Sequence, residues 1–282
     1  PRMNRKRARQ LALATVLALA VDAAGAVAQT TDLPASDLLR CELEATRFVA
    51  DADEAASVYV NPAGLAWKRF ATTLLQGTYR YDRVVEIDAA AGFQGFGFGF
   101  TRRRDGSFTS NTYVAALAGK PFQAASLGAS FKWHHSDMPF EDRSPLAIDL
   151  GFTIRPSRSL SIAGVWKNVN EPRFSAGGAI DPFFGPACAL ERTFVGGVSI
   201  RPLLERITLS AQAEVRDDRG PGWLFGGRMR ALPGVEIFGS YRRDRLFWQN
   251  DAYDEYAAGL SVSFGSTRLR TEGRAEADGG LD

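Results

Sequence analysis

The sequence has few of the residues that build metal and disulfide scaffolds. Its 282 residues include 2 cysteines and 2 histidines, which excludes a disulfide-dense fold and a four-cysteine zinc site. No single sign of charge dominates, because 34 Lys and Arg face 32 Asp and Glu; this argues against a nucleic-acid-binding protein. Past the N-terminal region there is no run of about 18 apolar residues, so a helical membrane protein is excluded. A soluble β-rich protein and a membrane β-barrel remain.

The N-terminal region has the organisation of a secretory signal peptide. Two residues precede Met3, which we expect to be the start, and a basic stretch at 5–9 precedes an apolar run from Leu11 to Val21. The small-residue sequence Ala26-Val27-Ala28 follows. Because this order is typical of exported proteins, we predict a signal peptide over 1–28 that is cleaved after Ala28.

The body of the chain alternates between apolar and polar residues. From Ile207 to Val215 the odd positions are apolar and the even ones polar, and over 95–100 phenylalanines alternate with glycines. This period of two predicts about twelve β-strands of roughly ten residues, the length that crosses a bilayer when tilted. The predicted strands start near residues 70, 83, 94, 110, 122, 144, 158, 191, 204, 222, 234 and 255.

The links between these strands favour a barrel. Short proline-containing links alternate with longer ones, which we place at 103–109, 134–143, 169–190, 216–221 and 243–254. Tight turns at one end and longer loops at the other are typical of transmembrane barrels; a soluble β-sandwich is the alternative. The predicted fold is an all-β transmembrane antiparallel barrel of 12–14 strands over 67–264, in the outer membrane of a Gram-negative-type bacterium. An N-terminal hatch at 29–66 precedes it, and 265–282 is a polar tail or linker.

Alternation also assigns the two faces of each strand. In a membrane barrel the apolar set contacts lipid and the polar set faces the lumen. The lipid-facing aromatic residues would be Phe96, Phe131, Trp133, Trp166, Trp223, Phe225, Tyr241, Tyr256 and Phe264. The lumen-lining charges would be Arg80, Glu86, Asp88, Lys132, Asp149, Arg155, Lys167, Arg206, Glu214, Arg216, Arg228, Arg230, Glu236 and Arg242. They would form either a salt-bridge network that fills the lumen or the wall of a wet, cation-rich pore.

An acidic, alanine-rich stretch ahead of the first strand ends in Asn-Pro-Ala-Gly-Leu-Ala at 61–66. This segment resembles the N-terminal hatch of FadL-type outer-membrane transporters and of PorV-like barrels. The sequences at 147–151 and 165–168 and the Gly-Lys-Pro turn at 119–121 resemble PorV-like strands and turns. The resemblance implies a barrel whose N-terminal segment plugs the lumen, with gating residues within it: Tyr59, Asn61, Pro62 and Gly64. The chain departs from the family in two ways. About twelve strands are predicted where the family typically has fourteen, and the predicted lumen is charged.

No residues point to an enzyme or to a cofactor. His134 and His135 with Asp137, Glu141 and Asp142 could bind a metal, but they fall in a predicted external loop, where such residues are usually solvated. The glycines at 95–99 lack the spacing of a phosphate-binding loop. Cys41 and Cys188 could form a disulfide in an oxidising compartment, or both could stay thiols.

Two classes of function are compatible with these features. The first is a channel or transporter for small molecules, with hydrophobic molecules as one alternative. The second is a structural or anchoring barrel: a partner in a secretion assembly, or the membrane domain of a longer protein such as a signal-peptide-peptidase-like protease. The expected partners are outer-membrane lipid and either a small hydrophobic ligand or a secretion-assembly protein.

Overall fold

The computed structural model describes residues 47–52, 54–67, 70–80, 83–105, 108–136, 146–172, 192–203, 206–216, 219–245 and 252–277. Three short helical elements come first: a 3-10 turn at Val49–Asp51, the α-helix Ser57–Val60 and a 3-10 helix at Pro62–Trp67. We call residues 47–52 and 54–67 the plug. Among the described residues no helix has the length and apolar character needed to cross a membrane.

Thirteen strands follow the plug and close into a single barrel. They are β1 Thr72–Arg80, β2 Arg83–Phe93, β3 Phe96–Asp105, β4 Phe108–Phe122, β5 Ala125–Ser136, β6 Leu146–Ile154, β7 Leu160–Lys167, β8 Thr193–Ile200, β9 Ile207–Arg216, β10 Arg219–Leu232, β11 Val235–Arg245, β12 Ala252–Phe264 and β13 Thr267–Ala277. The predicted closed all-β barrel is confirmed, and β1 to β12 each start within three residues of a predicted strand.

The thirteenth strand corrects the prediction of a polar tail at 265–282. Its charged residues at even positions, such as Arg268 and Glu272, alternate with small or apolar ones, but Leu269 is the only large apolar residue of the second set. The alternation was therefore too weak to detect. Because an odd number of up-and-down strands puts the first and last in the same direction, β13 pairs with β1 in parallel, with Thr267 opposite Thr73. The barrel is thus antiparallel at every pair except this one.

The links divide the barrel into two ends. One end, which we call the turn end, carries the connections after β2, β4, β6, β8, β10 and β12, with left-handed glycines at Gly95, Gly234 and Gly265. The opposite loop end carries the long links after β5, β7 and β11. Two links predicted to be long, 103–109 and 216–221, are instead two residues each, because β3, β4, β9 and β10 extend beyond their predicted limits.

The two faces of the wall differ as the alternation requires. Large apolar side chains point outward and are exposed, among them Phe96, Trp133, Trp166, Trp223 and Phe264. The positions between them are buried and meet the plug, so this second set faces the lumen. A sheet closed on itself has no unpaired edge, which is the condition for a β-structure to sit in lipid.

Candidate functional site

The plug lies inside the barrel and packs against one half of its wall. Three apolar clusters hold it there, on β7 and β8, on β1 and β2, and on β4. Their plug members are Val49, Ala50, Ala52, Ala55, Ala56, Val58, Val60 and Leu65. Tyr59 packs against all three clusters. Burial of this apolar surface fixes the position of the plug, since it removes contact with lumen water.

Glycines in the wall make room for this close contact. A Cβ added to Gly99 on β3 would lie 2.6 Å from the ring of Tyr59. One added to Gly128 on β5 would lie 2.5 Å from the backbone nitrogen of Ala63. The Phe-Gly alternation of β3 therefore serves both faces: phenylalanine points outward and glycine leaves space for the plug.

The Asn61-Pro62-Ala63-Gly64 segment is held by the Asn61 side chain. Its amide nitrogen donates to the carbonyl oxygen of Val49 at 3.0 Å and to Oγ1 of Thr153 on β6 at 3.0 Å. Its amide oxygen accepts from the backbone N–H of Ala63 at 3.1 Å. Asn61 is fully buried, so each lost bond would leave a desolvated group. Gly64 is required sterically, because a Cβ there would lie 1.7 Å from the carbonyl oxygen of Ala52.

Tyr59 joins the plug to the backbone of two strands. Its hydroxyl donates to the carbonyl oxygen of Ala89 at 2.5 Å and also lies 3.0 Å from the carbonyl oxygen of Phe100. Burial raises the pKa of this hydroxyl, and the nearby Asp88 carboxylate raises it further. The neutral, proton-donating form is the one this position requires.

Ion pairs attach the plug to the end of β8 and to strands β10 and β13. The Asp51 carboxylate lies 2.9 Å from the guanidinium of Arg201, which follows β8, and 2.9 Å from that of Arg228 on β10. Glu54 lies 2.5 Å from Arg268 on β13. Glu236 on β11 extends the network, at 3.2 Å from Arg268 and 3.6 Å from Arg230. We call Asp51, Glu54, Arg201, Arg228, Arg230, Glu236 and Arg268 the ionic network.

A cavity of about 70 Å³ lies beside this network, between the plug and the wall. Its charged lining residues are Arg47, Asp51, Glu54, Arg228, Glu236, Arg268 and Arg270, and its large apolar ones are Phe48, Val60, Leu74 and Phe238. Burial lowers the pKa of Arg47, and the carboxylates of Asp88 and Glu272 oppose this effect. The cavity is far smaller than the roughly 300–1,000 Å³ of a typical ligand pocket, so the plug must move for a larger molecule to pass.

Other predicted lumen charges also lie close to a partner side chain. Lys132 is 2.6 Å from the buried Asp149, and Asp88 accepts from Oγ1 of Thr101 at 2.6 Å. Nearer the loop end, Glu214 pairs with Arg216 at 2.6 Å and with Arg242 at 3.2 Å. Of the two alternatives that the sequence left open, this arrangement matches a packed salt-bridge network. Removing one partner of a buried pair of this kind would leave an uncompensated charge, which is destabilising.

The other predicted lumen residues lie near the ends of strands. Glu86 is on β2, two positions from Asp88, and Lys167 ends β7; both are half-buried. Arg80 is the last residue of β1 and its register partner is Arg83. Arg206 differs from the prediction, because it lies exposed in the turn before β9 instead of in the lumen.

Trp67, the last residue of the plug, lies at the turn end of the barrel. Its indole N–H donates to Oγ of Ser126 on β5 at 2.7 Å. The Lys120 ammonium lies 3.8 Å from the centre of the ring, and the Arg155 guanidinium lies 4.8 Å from it. Stacked cations of this type stabilise a partly exposed indole.

His134 corrects the predicted external loop at 134–143. It lies within β5, is buried, and is 3.0 Å from Oγ1 of Thr112 on β4. Among the described residues there is no cluster of His, Cys, Asp and Glu that could bind a metal. Asp137, Glu141 and Asp142 lie outside the described residues, as do Cys41, Cys188 and the predicted signal peptide at 1–28.

Several residues at this site were absent from the sequence-based prediction. Arg268, Arg270 and Glu272 were missed because they belong to β13. Asp51 and Glu54 are part of the acidic stretch in the hatch, but nothing local shows which arginines they meet. The charged residues at every second position of β13 were the one sequence signal that could have revealed Arg268, Arg270 and Glu272.

No protein-family model matches the sequence, and no curated protein matches it either. Among solved structures, the fold is similar to that of the CymD monoaromatic hydrocarbon channel, with a TM-score of 0.56 and 10% identity over 81% of this chain and 90% of that one. It is also similar to a FadL homologue from Pseudomonas aeruginosa, with a TM-score of 0.53 and 9% identity over 77% of this chain and 84% of that one. The KdgM porin has a TM-score of 0.45 and 12% identity, over 69% of this chain and 96% of that one. The FadL-type resemblance is confirmed at the level of the fold.

Proposed function

We propose that this protein is an outer-membrane channel for small molecules, in which the plug controls passage through the lumen. The observation that carries the proposal is the unequal attachment of the plug. It packs by apolar contacts on one side and is held by ion pairs beside a cavity on the other. The similarity in fold to a structure named as a monoaromatic hydrocarbon channel supports it. Small hydrophobic molecules are the proposed cargo, and outer-membrane lipid surrounds the barrel.

The ionic side of the plug is the side that we expect to open. The ion pairs of the plug contribute little net free energy, because the cost of desolvating their charges offsets much of the attraction between them. The apolar clusters exclude water, and separating them would expose buried surface at about 25 cal/mol per Å². A displacement that breaks the contacts of Asp51 and Glu54 with the wall while keeping the apolar clusters would enlarge the cavity into a passage.

The test is ionic conductance in planar bilayers. The double variant Asp51→Asn and Glu54→Gln should conduct more often or with larger steps than the unaltered protein, because the plug loses its ion pairs. Glu171→Gln is the matched control, since Glu171 pairs with Arg192 at 2.8 Å and both side chains are about 40% exposed. It should leave conductance unchanged. Removing residues 47–64 should give the largest increase.

A structural or anchoring barrel is the second candidate. The small size of the cavity and the paired lumen charges favour it, and it includes the roles of secretion-assembly partner and of membrane domain of a longer protein. If folded barrels of all four proteins are silent in the bilayer, the channel proposal fails and this candidate replaces it. Folding is checked by the change in gel mobility that heating produces.

A further inference from the structure

The two ends of the barrel carry opposite charge. In the sequence, the six links at the loop end, after β1, β3, β5, β7, β9 and β11, contain ten Asp and Glu against three Arg. The six links at the turn end contain four Arg and a single carboxylate, that of Glu205. Because the charges are separated in this way, the turn end attracts anions and the loop end repels them.

Three cations lie exposed in consecutive turns of the turn end. Lys120 lies two residues before the end of β4, Arg158 lies between β6 and β7, and Arg206 lies between β8 and β9. Arg158 and Arg206 have no carboxylate partner within the described part of the chain. Strands β4 to β9 are neighbours in the sheet, and turns that are two strands apart are separated by roughly 10 Å. The three cations therefore form an arc along the rim of the barrel.

Large apolar side chains are exposed in two of the same turns. Phe122, the last residue of β4, is 72% exposed, and Leu203, between β8 and β9, is 59% exposed. Both are more exposed than an outward aromatic residue of the wall such as Trp133, which is 43% exposed. Such neighbours suit the boundary of a bilayer, because the apolar side chain enters the acyl region while the cation reaches the headgroups.

The aromatic residues differ between the two ends in a way that leaves headgroup contact at the turn end to the cations. Of the described Trp and Tyr residues, all that are exposed lie within six residues of the loop end of their strands: Tyr113, Trp133, Trp166, Trp223 and Tyr256. Near the turn end the exposed aromatic residues are Phe70, Phe93, Phe96, Phe122 and Phe264. Trp and Tyr have a polar group that interacts with headgroups, whereas phenylalanine has none.

We propose that the turn end binds acidic phospholipids. Lys120, Arg158 and Arg206 donate to the phosphates of neighbouring headgroups, and Phe122 and Leu203 pack among the acyl chains. Each basic side chain close to an acidic membrane surface strengthens binding roughly fivefold. This inference concerns the outer rim of the barrel, goes beyond the channel proposal, and holds whether or not the lumen conducts.

The experiment measures which lipids stay bound to the purified full chain. The protein is equilibrated in detergent micelles that contain equal amounts of phosphatidylglycerol and phosphatidylcholine with the same acyl chains. It is then washed on an affinity resin, and mass spectrometry counts the retained lipids. Phosphatidylglycerol should be retained about tenfold over phosphatidylcholine. Combining Lys120→Gln, Arg158→Gln and Arg206→Gln should bring this ratio close to one.

The matched control combines Arg102→Gln, Arg192→Gln and Arg243→Gln. It removes the same charge from the loop end, where Arg102 and Arg243 are exposed and the Arg192 side chain is 39% exposed, so the ratio should not change. If the turn-end triple variant does not fold, Arg206→Gln alone decides the result and should lower the ratio roughly fivefold. Equal retention of the two lipids by the unaltered protein, or an equal loss in both triple variants, would overturn the inference.

A further pair of measurements separates a lipid from a free anion. Phe122→Ser with Leu203→Ser keeps every cation but removes the apolar side chains, so retention of phosphatidylglycerol should fall. Glycerol 1-phosphate, which has the phosphate but no acyl chains, should not displace the bound lipid. Unchanged retention in this variant, together with displacement by glycerol 1-phosphate, would mean that the turn end binds soluble phosphates, and the assignment to lipid would fail.

Discussion

At the residue scale, the site depends on glycines that lie where the plug contacts the wall. Gly99 on β3, Gly128 on β5 and Gly151 on β6 face the plug, and a Cβ on any of them would lie within 2.6 Å of a plug atom. Gly64 has the same role within the plug itself. Small residues let two backbones approach closely, and here they let a folded segment of about twenty residues fit inside a narrow barrel.

Gly64→Ala should destabilise the plugged barrel. The new methyl group would overlap the carbonyl oxygen of Ala52, 1.7 Å away, and overpacking of this kind typically costs about 1–3 kcal/mol. The measurement is urea-induced unfolding of the protein in lipid vesicles. Gly119→Ala is the matched control, because no atom lies within 4 Å of its Cβ position. Equal stability of the two variants would contradict the packing described here.

At the element scale, each strand separates lipid-facing from lumen-facing side chains. In β6, Leu150 and Ile154 point outward and are exposed, while Asp149 and Thr153 are buried. The same order holds in β8 and β9. Each strand therefore places alternate residues in lipid and in the lumen. The cost of a charge on the lipid face depends on how deep in the bilayer the residue lies.

Leu150→Arg should lower the free energy of unfolding by about 2–4 kcal/mol, because it places a charge at the lipid-facing midpoint of β6. Ile154→Arg, at the end of the same strand, should cost about 0–1 kcal/mol. Unfolding in lipid vesicles measures both. If the two substitutions lower the free energy of unfolding equally, the outer face does not contact a bilayer whose midplane lies near Leu150.

The closing strand β13 gives a second prediction at this scale. Thr73→Cys combined with Thr267→Cys should form a disulfide on oxidation, because these residues are paired across β1 and β13 and their hydroxyls are 3.0 Å apart. Thr73→Cys with Gly273→Cys should not, since Gly273 lies opposite Tyr79. Thiol counting by mass spectrometry, with Cys41 and Cys188 changed to serine, distinguishes them. Cross-linking of the mismatched pair alone would refute the parallel register.

At the scale of the whole molecule, the odd number of strands decides the topology. β13 runs in the same direction as β1, so Ala277 lies at the loop end, opposite the turn end where β1 begins. A barrel of twelve strands, the number predicted from the sequence, would have both ends on one side. The thirteenth strand moves the end of β13 to the other side, and any domain joined after it would lie there.

Epitope insertions test this topology. A tag placed directly after Ala277 should be labelled from the same side of the membrane as a tag within 137–145, the link between β5 and β6. A tag between Gly265 and Ser266, in the turn before β13, should be labelled from the opposite side. Antibody binding to intact and permeabilised cells is the measurement. Labelling of the Ala277 and Gly265 tags from one side would mean that β13 does not cross.

The sequence by itself determined the class of fold and the outer face of the barrel. Alternation along β9 and the Phe-Gly pattern of β3 are local, and a period of two follows directly from the geometry of a strand. Prediction from local patterns failed in β13, where the alternation is weak. It also failed at His134, because β5 continues beyond the end of its apolar pattern.

Only the tertiary structure decided how the barrel closes and which charges meet. Asp51 and Arg228 are 177 residues apart in the chain, and no local pattern links a carboxylate of the plug to one arginine among many. Their contact depends on the size of the lumen, on the depth of the plug and on the parallel pairing of β1 with β13. These are properties of the closed sheet, because the register of each strand fixes which side chains face one another across the lumen.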